Sequence, residues 1–391
     1  MRILYHHRTQ AEDGQAVHIR ALIAAFRAQG HEVREVSLVP RDDGGATARP
    51  AEARSERYPW LARVPGFVRE LGELAYGPLT RGTLVRAGRE FAPDFLYERY
   101  AFGNSAGVLA ARALAKPLVL EVNSPMVLEH ERTRGLAFPG LARAVETRVF
   151  RAASLVCAVT GVLRDILCEL GVARERVLVT PNGVHLAHYA AARDAAGRRT
   201  ARGALALDGV AADELVLGFV GFYRDWHRLD VVLDAMTDAR LARTRLVLVG
   251  EGPVREDLER RARELGLAAR VHFAGPKPHG EIPALLPAFD VALVPAINPY
   301  ASPLKLFEYM AAGLAIVAPD QTNLREVLAP DVDALLVPSG ERAPLVDALV
   351  RLRDPGLRTR LGTAARAAVE RNDWTWDGNA RRVVAAVEAL A

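Results

Sequence analysis

Tyr300-Ala-Ser-Pro-Leu-Lys-Leu-Phe-Glu-Tyr-Met-Ala-Ala-Gly-Leu-Ala-Ile-Val-Ala318 carries a helix start, a helix stop and a buried strand in one short stretch. Ser302 suits an N-cap, Pro303 the first helical position, and Gly313 the residue that ends a helix. The spacing predicts a helix over residues 303–312, entered from an apolar strand at 291–294 and followed by another at 315–318. A strand, a crossover helix and a second strand make a right-handed βαβ unit, so the two strands run parallel.

The same alternation extends over the chain. A strand at 3–5 precedes a helix at 18–29, where Ile19, Leu22, Ile23 and Phe26 recur at helical spacing and Gly30 stops the run. Further strands are expected at 33–39, 95–97, 118–122, 155–159 and 177–180, then at 216–220, 246–249 and 271–274. One open twisted sheet rarely exceeds about ten strands, so these divide into two. The expected fold class is α/β, with two doubly wound parallel-sheet domains facing each other across a cleft and ligands at the carboxyl ends of the strands. A stretch rich in Ala, Arg, Asp and Gly at 187–213 marks the seam, giving domains at 1–190 and 191–373 and a C-terminal helix within 374–391. Residues 41–53, polar and rich in Gly, Ala and Arg, read as a loop.

Composition narrows the function. Of 391 residues half are apolar and a quarter charged, the balance of a chain with large cores. A net charge of +4 without a basic cluster gives no footprint for nucleic acid. Cys157 and Cys168 fit neither a CxxC nor a metal-ligand spacing, which excludes a disulfide framework and suits a reducing cytoplasm. Met1-Arg2 runs into a short strand and then polar residues, not an export signal, and no apolar run approaches the roughly 18–20 residues of a membrane span. The expected localisation is cytoplasmic.

No His/Cys cluster has zinc spacing, and Asp331-Val-Asp333, which imitates a metal-binding DxD, follows Pro330 in a turn context. Gly250-Glu-Gly252 begins like a dinucleotide fingerprint but lacks its third Gly, and the next strand ends without the ribose-binding acid. No metal or resident cofactor is expected. The interleaved charges of 255–263 read as a solvated helix face.

Lys305 falls in the first turn of its helix, where the positive end of the dipole disfavours a cation. An anion docked on the free N–H groups would resolve the conflict, because ammonium and amides then bind phosphate together. Glu308, one turn on, can accept hydrogen bonds from vicinal hydroxyls. The alternative is a surface Lys305–Glu308 pair worth a few tenths of a kcal/mol; spacing alone leaves the two readings even.

Residues 305–318 resemble the "EAMAxGxPVVA" block of family 4 glycosyltransferases, which have the GT-B fold of two Rossmann-like domains. Thr180-Pro-Asn-Gly-Val184 resembles that family's interdomain "PNGVD" block, with His185 in place of Asp. Val220-Gly-Phe-Tyr-Arg-Asp-Trp-His-Arg-Leu-Asp230 resembles its "GRLxxxKG" loop. Leu246-Val-Leu-Val-Gly-Glu-Gly-Pro253, Val271-His-Phe-Ala-Gly275, Asp13-Gly14 with His18, and Gly30-His-Glu-Val33 follow in family order, so the likeness covers nearly the whole chain. The resemblance implies retaining transfer of a sugar from a nucleotide diphosphate sugar to a hydroxyl acceptor, without metal. The acceptor class spans glycans, lipid-linked glycans and small molecules. The resemblance further implies that Glu308 binds the ribose hydroxyls and that Gly14, Gly221, Arg224, His227, Gly250, Lys277 and Ser302-Pro303-Leu304-Lys305 surround the donor. It also has the C-terminal helix crossing back to the N-domain.

Three departures stand out. The family often carries a second Glu eight positions before the residue matching Glu308, and here Tyr300 occupies that place. Phe222 and His227 replace the Arg and Lys of the "GRLxxxKG" loop, leaving Lys305, Arg224 and a protonated His227 as substitute cations. Asn123 stands where a His often faces the donor sugar; it can hydrogen-bond a hydroxyl but carries no proton at neutral pH. The changes bear on the donor's identity more than on the reaction type.

The N-domain is expected to supply the acceptor site. Glu98 and Arg99 follow a strand at its carboxyl end, with a local Glu98–Arg99 pair as the plain alternative. Glu121 ends an apolar run beside the cleft and is a candidate to bind or deprotonate an acceptor hydroxyl. His18, at the start of its expected helix, would touch phosphate or acceptor, or simply cap the helix. The stretch 58–89 sets Trp60, Leu61, Phe67, Leu71, Leu74 and Tyr76 among arginines. Such a segment either lies on the anionic inner leaflet of a membrane or packs on the sheet with its arginines outward. Two further functions remain open on the same residues: a nucleotide-sugar epimerase, or a non-catalytic sugar-nucleotide-binding partner protein. Oligomeric state leaves no mark in the sequence.

Overall fold

The structure, a computed structural model, describes residues 1–9, 14–37, 64–190, 194–207, 209–211 and 213–390. Asp13, the loop expected at 41–53, Trp60 and Leu61 lie outside the described residues. The chain divides into two compact units, Met1–Pro181 with Trp376–Ala391, and Asn182–Thr375.

The first unit holds β1 (Arg2–His7), β2 (Glu32–Ser37), β3 (Phe95–Arg99), β4 (Leu118–Val122), β5 (Leu155–Ala158) and β6 (Val177–Val179), all parallel in the order β2-β1-β3-β4-β5-β6. The order reverses between β1 and β3. Ile3, Leu4 and Tyr5 of β1 are fully buried, because helices cover both faces of the strand. Helix Gly14–Ala28 buries Ile19, Leu22, Ile23 and Phe26, as their spacing predicts, but begins one turn earlier than expected. Helix Trp376–Glu388 packs on it, with the His18 and Trp376 rings edge to face at 4.7 Å, and Gln29 donates to the Asp377 carbonyl at 2.9 Å.

The second unit holds β7 (Leu215–Val220), β8 (Thr244–Val249), β9 (Val271–Gly275), β10 (Val291–Leu293), β11 (Ala315–Pro319) and β12 (Leu335–Val337). Their order is β12-β11-β10-β7-β8-β9, so the reversal falls between β7 and β10. Along β7, Val216 and Val220 join one hydrophobic cluster while Leu215, Leu217 and Phe219 join the other, on the opposite face. A side chain at Gly218 would collide with the Phe289 ring at 2.1 Å, so that glycine makes room for the ring on the first face.

One boundary and one strand differ from the sequence reading. The division falls at 181/182, not at 190/191: Asn182 donates its backbone and side-chain amides to Ser302, and Tyr189 joins the second unit's core. Strand β12 was not expected at all, being three residues long beside a turn.

The long helix Gly66–Phe91 buries Leu84 and Phe91 against the first unit but leaves Phe67, Val68, Leu71 and Leu79 exposed. It thus packs on the unit while presenting apolar residues as well as arginines outward. Among the described residues no helix is long and apolar enough to cross a membrane.

Candidate functional site

In the second unit the loops after β7 and β10 flank the point where strand order reverses, the usual ligand crevice of an open parallel sheet. Helix Leu304–Ala311 opens there. It starts one residue later than expected: Pro303 is the N-cap, and Ser302 does not cap it because its hydroxyl accepts from the Asn182 amide at 3.1 Å. Val220 of β7 donates to the Tyr309 hydroxyl at 2.8 Å, which fixes the helix against the strand. Gly313 follows the helix with φ 65°, the left-handed conformation its position demands.

That anchoring sets Lys305 over the end of β7. Its Nζ lies 3.7 Å from the centroid of the Phe219 ring, and a Cβ added at Gly221 would lie 2.9 Å from it. Burial lowers the Lys305 pKa to about 7, with Glu308 opposing the shift. The surface Lys305–Glu308 pair is not what forms. Glu308 is buried and pairs with His279 Nε2 at 2.6 Å, while Tyr189 also hydrogen-bonds to it. His279 and Tyr189 were not singled out by sequence: they come from the loop after β9 and from the segment after β6.

His227 is buried beside Phe219, with ring centroids 5.2 Å apart. Burial, then the charge of Lys305, lowers its pKa to about 3. The expected protonated His227 is therefore corrected to a neutral imidazole, whose Nδ1 lacks a hydrogen-bond partner among the described residues. Arg224 is exposed and stacks on Phe222 and Trp226, 4.6 and 5.3 Å from their centroids. Lys277 is half-buried two residues before His279. Gly250 has its amide committed to the Gly275 carbonyl at 2.8 Å; a Cβ there would meet the Gly221 carbonyl oxygen at 2.1 Å. Its contribution is the close packing of two loops rather than a free N–H for a ligand.

In the first unit, Glu121 at the end of β4 gathers most of the expected residues. Arg99 and Asn123 donate to its Oε1, Asn123 at 2.6 Å, and Tyr97 donates to Oε2 at 2.8 Å, with His18 Nε2 3.1 Å from that oxygen. Burial alone would raise its pKa, but His18, Arg99 and the hydrogen bonds override it and hold the carboxylate well below the usual range. A carboxylate so stabilised is a poor base, so the expected deprotonation of an acceptor by Glu121 does not suit this geometry. His18 lies inside its helix and serves Glu121, not the helix end. The alternative of a local Glu98–Arg99 pair is not what forms: Arg99 goes to Glu121 and Glu98 to His6. Gly14 is the exposed first residue of its helix. Among the described residues no group of three or more His, Cys, Asp and Glu is arranged to hold a metal ion.

Two six-stranded parallel Rossmann-like units are the architecture of GT-B glycosyltransferases. HepE of Anabaena, solved in complex with UDP-glucose, superposes over 100% of both chains with a TM-score of 0.74 at 18% identity. WaaG, a glycosyltransferase involved in lipopolysaccharide biosynthesis, gives 0.66 over 98% of this chain and 99% of its own at 16% identity. Residues 13–188 match the model of Glycosyltransferase Family 4, and residues 214–354 that of Glycosyl transferases group 1. The chain belongs to the family 4 glycosyltransferases. The 2-deoxystreptamine glucosyltransferase of Streptomyces kanamyceticus is 30% identical over 64% of this chain, a stretch covering 64% of that relative. The D-inositol 3-phosphate glycosyltransferase of Saccharomonospora viridis is 28% identical over 82% of this chain and 79% of its own.

Proposed function

We propose that the protein is a retaining glycosyltransferase that moves a hexosyl group from a nucleotide diphosphate sugar to a hydroxyl of a polyhydroxylated small molecule, without a metal ion. The carrying observation is Lys305: an ammonium on an aromatic ring at a helix start, one turn from a buried carboxylate, at the strand-order reversal. The diphosphate is the anion that completes it, and Glu308 takes the ribose diol. As the sugar–phosphate bond breaks, negative charge grows on the leaving diphosphate, and a fixed ammonium with helix N–H groups stabilises it. Names of relatives support a cyclitol-like acceptor, since two act on 2-deoxystreptamine and inositol 3-phosphate.

The test is a donor screen with purified protein, beginning with UDP-glucose against 2-deoxystreptamine and inositol 3-phosphate, with and without EDTA. Release of nucleoside diphosphate with an anomerically retained product, unchanged by EDTA, supports the reading. Interconversion of nucleotide sugars would make the protein an epimerase, and tight binding without turnover a non-catalytic partner. The exposed Phe67, Val68, Leu71 and Leu79 on an arginine-bearing helix support peripheral contact with an anionic leaflet. Co-sedimentation with anionic but not neutral vesicles tests that contact.

A further inference from the structure

A second polar chain lies in the first unit, where its own strand order reverses between β1 and β3. His6 and Glu98 stand opposite each other in the register of those strands, one residue before each strand ends. Glu98 is fully buried, and its Oε1 receives His6 Nδ1 at 2.5 Å, Asn104 Nδ2 at 3.1 Å and the Gly107 amide at 2.9 Å. Its Oε2 is buried without a partner among the described residues. On the other side of the imidazole, Nε2 is 3.2 Å from the Tyr76 hydroxyl.

Tyr76 belongs to helix Gly66–Phe91, and two glycines let that helix approach the loop after β3 closely. A Cβ at Gly77 would strike Ser105 Oγ at 2.1 Å, and one at Gly103 would lie 3.0 Å from the Glu73 carbonyl oxygen. The half-buried Tyr76 ring has the Arg8 guanidinium 3.9 Å above its centroid, and the His6 ring lies within 7° of its plane.

The chemistry of the chain has a direction. A carboxylate at Nδ1 requires a proton there, so the neutral imidazole offers its lone pair at Nε2. The Tyr76 O–H donates to it, and the phenol oxygen, toward which the Thr80 hydroxyl also donates, keeps its second lone pair to accept a hydrogen bond. We propose that Tyr76 binds the attacking hydroxyl of the acceptor, with His6 and Glu98 as the positioning residues that fix the phenol's proton toward the imidazole. The ligand is a polyhydroxylated ring that donates one hydroxyl to the phenol oxygen. The proposal rests on the transferase reading above and adds residues to its acceptor side.

The test uses the full chain and the donor–acceptor pair found in the screen. Tyr76→Phe should lower kcat/KM for the acceptor at least about ten-fold. Acceptor-independent hydrolysis of the nucleotide sugar and the Kd for UDP should stay within about two-fold of the parent. His6→Gln should show the same split in weaker form, with its folded state verified by thermal melting. Parental acceptor kinetics in Tyr76→Phe overturn the inference alone. Equal loss of transfer, hydrolysis and UDP binding overturns it too, because that is the mark of a structural role. A parent that neither hydrolyses nor transfers from any donor removes the transferase reading, and this inference with it.

Discussion

The Lys305 ammonium rests on the face of Phe219, 3.7 Å from its centroid, while the nearby Glu308 carboxylate is turned to His279. A cation–π contact contributes about 0.5–2 kcal/mol, less than the several kcal/mol that desolvating an ion costs. The ammonium is therefore under-compensated, and burial brings its pKa down to about 7. Stability and activity should pull apart here. The unfolded lysine keeps its proton to about pH 10.4, so between that value and 7 the unfolded state holds the extra proton and stability rises with pH. Lys305→Met should raise the melting temperature by about 2–4 °C near pH 6.5, a gain that shrinks toward pH 10. Transfer should fall at least about ten-fold, or 1.4 kcal/mol. Paired melts and initial rates check both.

The same proton should appear in ligand binding. A diphosphate favours the ammonium form, so donor binding takes up a proton when the pH lies above the free-state value near 7. The Kd for UDP should weaken as pH rises from 6 to 8.5, by at most about ten-fold per unit. Lys305→Ala should bind more weakly throughout and lose most of this dependence. Titration calorimetry in buffers of different ionisation enthalpy measures the proton directly.

Glu308 is buried and already holds His279 and Tyr189, so its orientation is set before a ligand arrives. If it receives the ribose diol, the parent should discriminate against 2′-deoxy nucleotides and Glu308→Gln should discriminate less. The expected loss on UDP is about ten-fold, from one charged hydrogen-bond acceptor made neutral. His279→Ala should weaken binding less, because Tyr189 still holds the carboxylate. Competition binding with UDP and dUDP gives the comparison.

Glu121 is held as a carboxylate by Arg99, His18, Asn123 and Tyr97. Its folded pKa lies far below the unfolded value of about 4.3, so its stabilisation is complete above that pH and is lost as pH falls toward the folded value. Glu121→Gln strands Arg99 in a buried site and should cost about 3–5 kcal/mol at pH 7, with a much smaller difference from the parent in strong acid. Urea unfolding of both proteins at pH 7 and pH 3 measures it. The alkaline and neutral pH–rate behaviour of transfer should not change shape in the fraction that remains folded.

What could be read from the sequence was local in origin. The strand runs of β4 and β7 are near-continuous apolar stretches because helices bury both faces, and Gly313 ends a helix by a backbone rule. Lys305 stood out because a helix start repels a cation. The partners of Glu308 and Glu98 had no such signal: His279 is 29 residues from Glu308, and His6 is 92 from Glu98, joined only by strand register and loop course. The protonation expected of His227 failed for a related reason, since a sequence records the imidazole but not the burial that discharges it.

Glu146 is the counterpart of Glu121 in the same unit, and the two should respond to pH in opposite senses. It is buried on helix Pro139–Ala152, accepts from the Val127 amide at 3.2 Å and forms no ion pair among the described residues. Burial raises its pKa to about 7, against the hydrogen bond from the Val127 amide, which favours the charged form. The unfolded carboxyl releases its proton near 4.3, so between about 4.3 and 7 the folded state holds one more proton and stability falls as pH rises. Glu146→Gln keeps the shape and a carbonyl oxygen for Val127 without the charge. It should match the parent at pH 5 and exceed it at pH 8 by up to about 3 kcal/mol. Equal stability of the two proteins at pH 8 would show that the carboxylate is solvated in a way its burial does not suggest, and urea unfolding at the two pH values decides it.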